Sequence, residues 1–223
     1  SMLHFYPFQT EINQENMNVN NLKFIHITKC AGTAIETLGK KHSMQWGMFD
    51  PEYFDPENQS KHRWHQLFVN IPQDVQNKYD WFIVVRNPYD RILSEYYCKW
   101  GSYCRPNHEH PDQMSKYLIN KIKNRNKNGC HFTEMYSYIK NSDKKIFVLK
   151  FENISTEFNR LMEVHQSNLT LPSKRYNQNN YGKFSVNDFS DDLVKIINQV
   201  YKDDFNFFNY EMKTSSVEEV LSV

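Results

Sequence analysis

Two segments of this chain bring together residue types suited to gripping anions. The first is Phe24-Ile25-His26-Ile27-Thr28-Lys29-Cys30-Ala31-Gly32-Thr33-Ala34-Ile35. The second, further along, is Phe82-Ile83-Val84-Val85-Arg86-Asn87-Pro88-Tyr89-Asp90-Arg91-Ile92-Leu93-Ser94-Glu95-Tyr96. Each reads as a buried strand that runs into a helix through a turn carrying cations and hydroxyls. Two such turns suit two separate phosphate groups of one ligand.

In the first turn, Gly32 permits close approach of backbone to an anion. Thr33 and Ala34 open a helix, whose N–H groups and positive dipole end favour phosphate. Lys29 adds a full charge and Thr33 a hydroxyl. This is the logic of a P-loop without its string, since GxxxxGK[ST] is absent. Read alone, the segment fits equally an ordinary strand–turn–helix corner with a surface lysine. In the second turn, Arg86 can offer a bidentate fork to phosphate and Ser94 a hydroxyl. Arg91 lies on the same helix face as Ser94; it can equally pair with Asp90 or Glu95, or cap a loop.

The elements that position these turns alternate in type. Strands are expected at Leu22 to Thr28, Asp80 to Arg86 and Lys145 to Phe151. Helices are expected at Thr33 to Lys41, Pro88 to about Trp100, residues 113–127, Ile154 to His165 and Asp191 to Tyr201. Residues 1–21 read as a polar arm. Residues 42–63, 101–112 and 166–189 read as loops, and an aromatic tail follows Tyr201. The alternation predicts an α/β fold with a central parallel sheet flanked by helices. In such sheets ligands bind beyond the carboxyl ends of the strands, where both turns fall. No repeat, second domain or long linker is evident.

Composition narrows the classes further. The chain has 223 residues and a net charge of +1, enough for one domain with a sizeable core and no global basic field for nucleic acid. Hydrophobic residues make up 39%, and 16 Phe with 14 Tyr can supply much of the core. Mean hydropathy is −0.78, and no apolar run approaches the ~20 residues of a membrane span. No basic n-region or apolar h-region opens the chain, and Ser1 before Met2 reads as an expression scar. The compartment stays open between cytoplasm and the lumenal domain of a Golgi enzyme. Cys30, Cys98, Cys104 and Cys130 contain no CxxC pair, so no zinc site is expected. One disulfide among Cys98, Cys104 and Cys130 and free thiols fit equally.

Together the two turns resemble the paired cofactor-binding motifs of the sulfotransferases that use 3′-phosphoadenosine 5′-phosphosulfate (PAPS). The similarity is to the carbohydrate branch that includes the glycosaminoglycan 2-O-sulfotransferases. Ile146 to Asn153 resembles that branch's third core strand, and Tyr201 to Tyr210 its C-terminal segment. The resemblance spans roughly residues 22–210. It implies a single domain there, with a tail over 211–223, a P-loop-like sulfotransferase fold of three α/β/α layers, and transfer of a sulfuryl group from PAPS to a carbohydrate hydroxyl. The product is adenosine 3′,5′-bisphosphate (PAP), and no metal is required. By position, the loop Lys29-Cys30-Ala31-Gly32-Thr33-Ala34 holds the 5′-phosphosulfate, while Arg86 and Ser94 hold the 3′-phosphate. Ala34 stands where many relatives have serine, so only its backbone N–H remains for that contact.

The transfer needs a base for the acceptor hydroxyl and a charge at the leaving phosphate. Lys29 meets the second need. Of nine histidines, His65 is the expected base, because in the resembling branch a histidine just ahead of an apolar stretch between the two motifs takes that role. His62 is the reserve, and His26 is expected to be a satisfied core or supporting residue. Lys174 and Arg175 are candidates to add charge near the 3′-phosphate from a covering loop, and Lys183 is a further one. The basic helix Lys116 to Lys127 either meets an anionic glycan or forms a solvated face. Two other classes compete: a P-loop-type kinase, which the missing Walker string and missing magnesium-binding aspartate disfavour, and a non-catalytic nucleotide- or glycan-binding module of the same fold.

Overall fold

Three apolar runs pair as a parallel sheet in the order β1-β2-β3: β1 is Leu22–Ile25, β2 Asp80–Val85 and β3 Ile146–Lys150. Leu22 faces Asp80 and Ile25 faces Ile83, while Trp81 faces Ile146 and Val85 faces Lys150. Every residue of β1 and all but the first of β2 are buried, as expected of parallel strands covered on both faces. The computed structural model describes residues 17–52, 64–98, 107–127, 129–172 and 182–214. It divides into two units, Ser1–Arg86 with Ser137–Tyr176, and Asn87–Tyr136 with Asn177–Val223.

The first unit holds the sheet with α1 (Gly32–Lys41), α2 (Gln73–Lys78) and α5 (Ile154–Val164). Aromatic rings form its centre: Phe24 and Phe82 lie 4.8 Å apart, and Trp46 meets both Phe82 and Phe158 edge-on. Trp46 donates its indole N–H to the Leu22 carbonyl at 2.7 Å, which satisfies the polar tip of a buried ring. Gly39 of α1 lets that ring in, since a Cβ there would stand 2.6 Å from it. A buried ion pair, Lys23 to Asp50 at 2.7 Å, ties β1 to the loop beyond α1.

The second unit is helical: α3 (Pro88–Tyr96), α4 (Pro111–Lys123), α6 (Asp191–Val200) and α7 (Lys202–Phe208). Asn87 caps α3 by accepting from the Tyr89 N–H at 3.0 Å, with Pro88 in the first turn. The core is built by Ile92, Leu93, Tyr96, Met114, Leu118, Ile122, Leu193, Ile197 and Phe205. Asp204 is fully buried and accepts from the N–H groups of Met135 and Tyr136 at 2.9 and 2.7 Å.

Several boundaries differ from the sequence reading. α3 ends at Tyr96, before the expected Trp100, because the N–H groups of Tyr97 and Cys98 close back onto Leu93 and Glu95. α4 starts at Pro111 and stops at Lys123, with a separate 3₁₀ turn at Arg125–Lys127. The tail expected after Tyr201 is helix α7, in which Phe205 and Phe208 bury at a spacing of one turn. Helix α2 was not expected; it is short and mostly polar, and Gln76 anchors it by donating to the carbonyls of Phe68 and Ile71.

Candidate functional site

The turn between β1 and α1 has a constrained backbone. Lys29 and Ala31 both take the left-handed conformation, at φ 60° and 61°, which costs a non-glycine residue roughly 1–2 kcal/mol. Such strain clusters at functional sites. Ala31 is the N-cap of α1 and offers no side-chain cap, so the helix's first N–H groups are not covered by its own cap. Ala34 differs from expectation: its N–H donates to the Ala31 carbonyl at 3.0 Å, so that group is engaged. Lys29 is half-buried and Thr33 exposed. Cys30 is fully buried, so its thiol is not presented to a ligand.

Gly32 also makes room for a neighbouring ring. A Cβ at this position would lie 1.9 Å from Nε2 of His26. The space a side chain would fill is taken by that imidazole. His26 follows β1, is 6% exposed, and sets its Nδ1 2.6 Å from Oε1 of Glu36 on α1. The Met48 N–H donates to the same oxygen at 3.1 Å. Gly47, at φ +57°, makes room for the carboxylate, because a Cβ there would stand 1.6 Å from Oε1. Glu36 is 1% exposed and its Oε2 has no hydrogen-bond partner among the described residues. Burial pushes its carboxyl up to about 7 and holds His26 down to about 3.

His65 joins this pair. Its ring meets that of His26 edge-on, with centroids 4.3 Å apart, and its Nδ1–H donates to the His26 carbonyl at 2.9 Å. A carbonyl only accepts, so the Nδ1 proton is fixed and the neutral ring keeps its lone pair on Nε2. That is the protonation pattern a general base requires.

Arg86 follows β2 and is 5% exposed. Its Nη1 donates to the Lys29 carbonyl at 3.3 Å, and its guanidinium lies 4.1 Å from the centre of the Phe151 ring. Residues that follow all three strands therefore meet at the carboxyl edge of the sheet: His26 and Lys29 after β1, Arg86 after β2, Phe151 after β3.

A family model described as the sulfotransferase family matches residues 17–211. The chain belongs to the sulfotransferase family. No curated protein and no solved structure matches it.

For a sulfotransferase, the first unit thus assembles a constrained turn with a lysine, a buried arginine and an oriented histidine on one edge. Of the other residues singled out in the sequence, Ser94 is half-buried on α3 in the second unit. Arg91, 1% exposed, donates to the Thr133 carbonyl at 2.7 Å, which is the loop-capping role. Lys183 lies 2.8 Å from Glu109. Lys174, Arg175, His62 and Cys104 fall outside the described residues. Cys30, Cys98 and Cys130 are free thiols, and burial pushes that of Cys130 up to about 12.

The second unit also brings Glu95, Cys98 and His131 together, with ligand atoms within 4.8 Å of one another. Cysteine spacing gave no sign of this group. His131 Nδ1 and Glu95 Oε2 stand 2.8 Å apart. Ligands at ~2.0–2.1 Å from a tetrahedral zinc would be separated by about 3.3 Å, so this geometry is a closed hydrogen bond. Glu36 was missed by the sequence reading as well. Its signal was a carboxylate inside the apolar stripe of α1, beside Ile35 and one turn from Gly32 and Gly39.

Proposed function

We propose that this sulfotransferase moves a sulfuryl group from PAPS to a hydroxyl of a carbohydrate acceptor. The acceptor oxygen attacks sulfur in line as the bond to the 5′-phosphate oxygen breaks. PAP leaves, and the acceptor proton passes to Nε2 of His65. The observation that carries the reading is the Nδ1–H bond from His65 to the His26 carbonyl, which prepares Nε2 as the base beside the turn that bears Lys29.

Lys29 and the first N–H groups of α1 meet the 5′-phosphosulfate, where charge develops on the leaving oxygen. Arg86 meets the 3′-phosphate. Donor and acceptor classes rest on the resemblance of the two turns to the carbohydrate branch, and family membership supports sulfuryl transfer itself.

Calorimetric titration with PAP, ATP and AMP, each with and without Mg²⁺, tests the reading. PAP should bind without a divalent cation and more tightly than AMP, which lacks the 3′-phosphate. Mg²⁺-dependent binding of ATP with no binding of PAP would contradict it.

A further inference from the structure

We propose that Glu36 is a positioning residue for His65, holding it through His26. The inference rests on the reading of His65 as the base. Three contacts carry it. Glu36 Oε1 fixes His26 at Nδ1. The His26 carbonyl fixes His65 at Nδ1. The two imidazoles then lie edge to face at 4.3 Å.

The fold makes room for this arrangement at two separate places. Gly32 clears the space for the His26 ring and Gly47 the space for the Glu36 carboxylate. A carboxylate with an unpartnered oxygen, 1% exposed inside an amphipathic helix, is costly to fold. A purely structural core would fill the position with an apolar side chain.

Among the described residues, the titratable groups that face Glu36 are His26 from the end of β1 and His65 from the loop before Phe68. The turn Gly47–Phe49 supplies only the Met48 N–H. Lys40, one turn along α1, is directed over the Phe49 ring instead. The attraction between Glu36 and His65 lowers the glutamate's proton affinity, and by reciprocity it raises the histidine's. When His65 takes the acceptor proton, the imidazolium forms beside a carboxyl group whose ionised form attracts it.

The test is a pair of measurements. In the wild-type protein, the His65 Cε1–H resonance followed by NMR against pH should show two inflexions, one its own and one from Glu36. In Glu36→Gln, which keeps the shape, the His65 midpoint should move to lower pH. The acid limb of the kcat/KM profile should move with it, and kcat should fall roughly 10–100-fold, a part of the 10²–10⁴ that a placed base supplies. A single inflexion in the wild-type titration overturns the inference, and that arm needs no variant to fold. So does a Glu36→Gln enzyme whose pH profile matches the wild type while His65→Ala is inactive. If His65→Ala itself retains full activity, the assignment of the base fails instead.

Discussion

The guanidinium of Arg86 donates to the main-chain carbonyl of Lys29 at 3.3 Å. The arginine after the second strand thereby braces the strained turn after the first. A group expected only to bind ligand is also a fixture of the turn that carries the lysine. Arg86→Lys keeps the charge but loses the planar fork and its stacking on Phe151. It should weaken PAP binding by roughly 10–100-fold, the worth of a charged hydrogen bond. Calorimetry checks this; unchanged affinity would remove Arg86 from the site.

Lys29→Ala should lower kcat by on the order of 10²–10³, because the charge is used as the leaving phosphate develops in the transition state. KM for PAPS should rise much less. The opposite split, with KM raised and kcat intact, would make Lys29 a binding residue only.

Gly32→Ala tests the packing of His26. The new Cβ would overlap the imidazole, which must swing away and lose its edge contact with the His65 ring. The variant should lose about 1–3 kcal/mol of stability, the usual cost of overpacking, and most of its activity. A folded Gly32→Ala protein with wild-type turnover would contradict the described position of His26.

The Glu36–His26 pair gives a signed prediction for stability. Burial moves Glu36 from 4.5 up to about 7 and His26 from 6.5 down to about 3. Between pH 4.5 and 6.5 the unfolded pair holds one proton on histidine and the folded pair one on glutamate, so it contributes no slope there. The glutamate's share of stability is lost as pH rises through about 7. The histidine's share is lost as pH falls through 6.5 towards about 3. Glu36→Gln leaves only the histidine, whose unfolded form binds the extra proton. Its stability relative to wild type should therefore rise with pH between 4.5 and 6.5, approaching 1.4 kcal/mol per pH unit. Urea unfolding at several pH values measures this, and a flat difference would contradict it.

Much of the first unit was legible in the sequence because its strands are unbroken apolar runs and its turns carry unusual residue types. β2, β3 and α1 lie within a residue of expectation at each end, while β1 ends at Ile25, three residues before the expected Thr28. What was not legible depends on tertiary contact. Glu36 stands in the sequence only as a carboxylate inside the apolar stripe of α1, and its pairing with His26 comes from tertiary contact. Gly32 reads as an anion-binding glycine, and nothing in the chain signals that it also makes room for the His26 ring. Helix α7 was hidden in an aromatic stretch with no period long enough to count, and its helicity comes from packing Phe205 and Phe208. The positive φ angles of Lys29 and Ala31 had no signal, since neither is glycine or asparagine.

The central claim is that Nε2 of His65 takes the acceptor proton as the sulfuryl group passes from PAPS to the acceptor. Its most direct test is transfer of labelled sulfate from PAPS to a panel of glycans by wild type and by His65→Ala, with PAP binding measured on both. The account predicts transfer by the wild type and a loss of 10²–10⁴ in His65→Ala, with PAP affinity preserved. Equal transfer by the two proteins would contradict it.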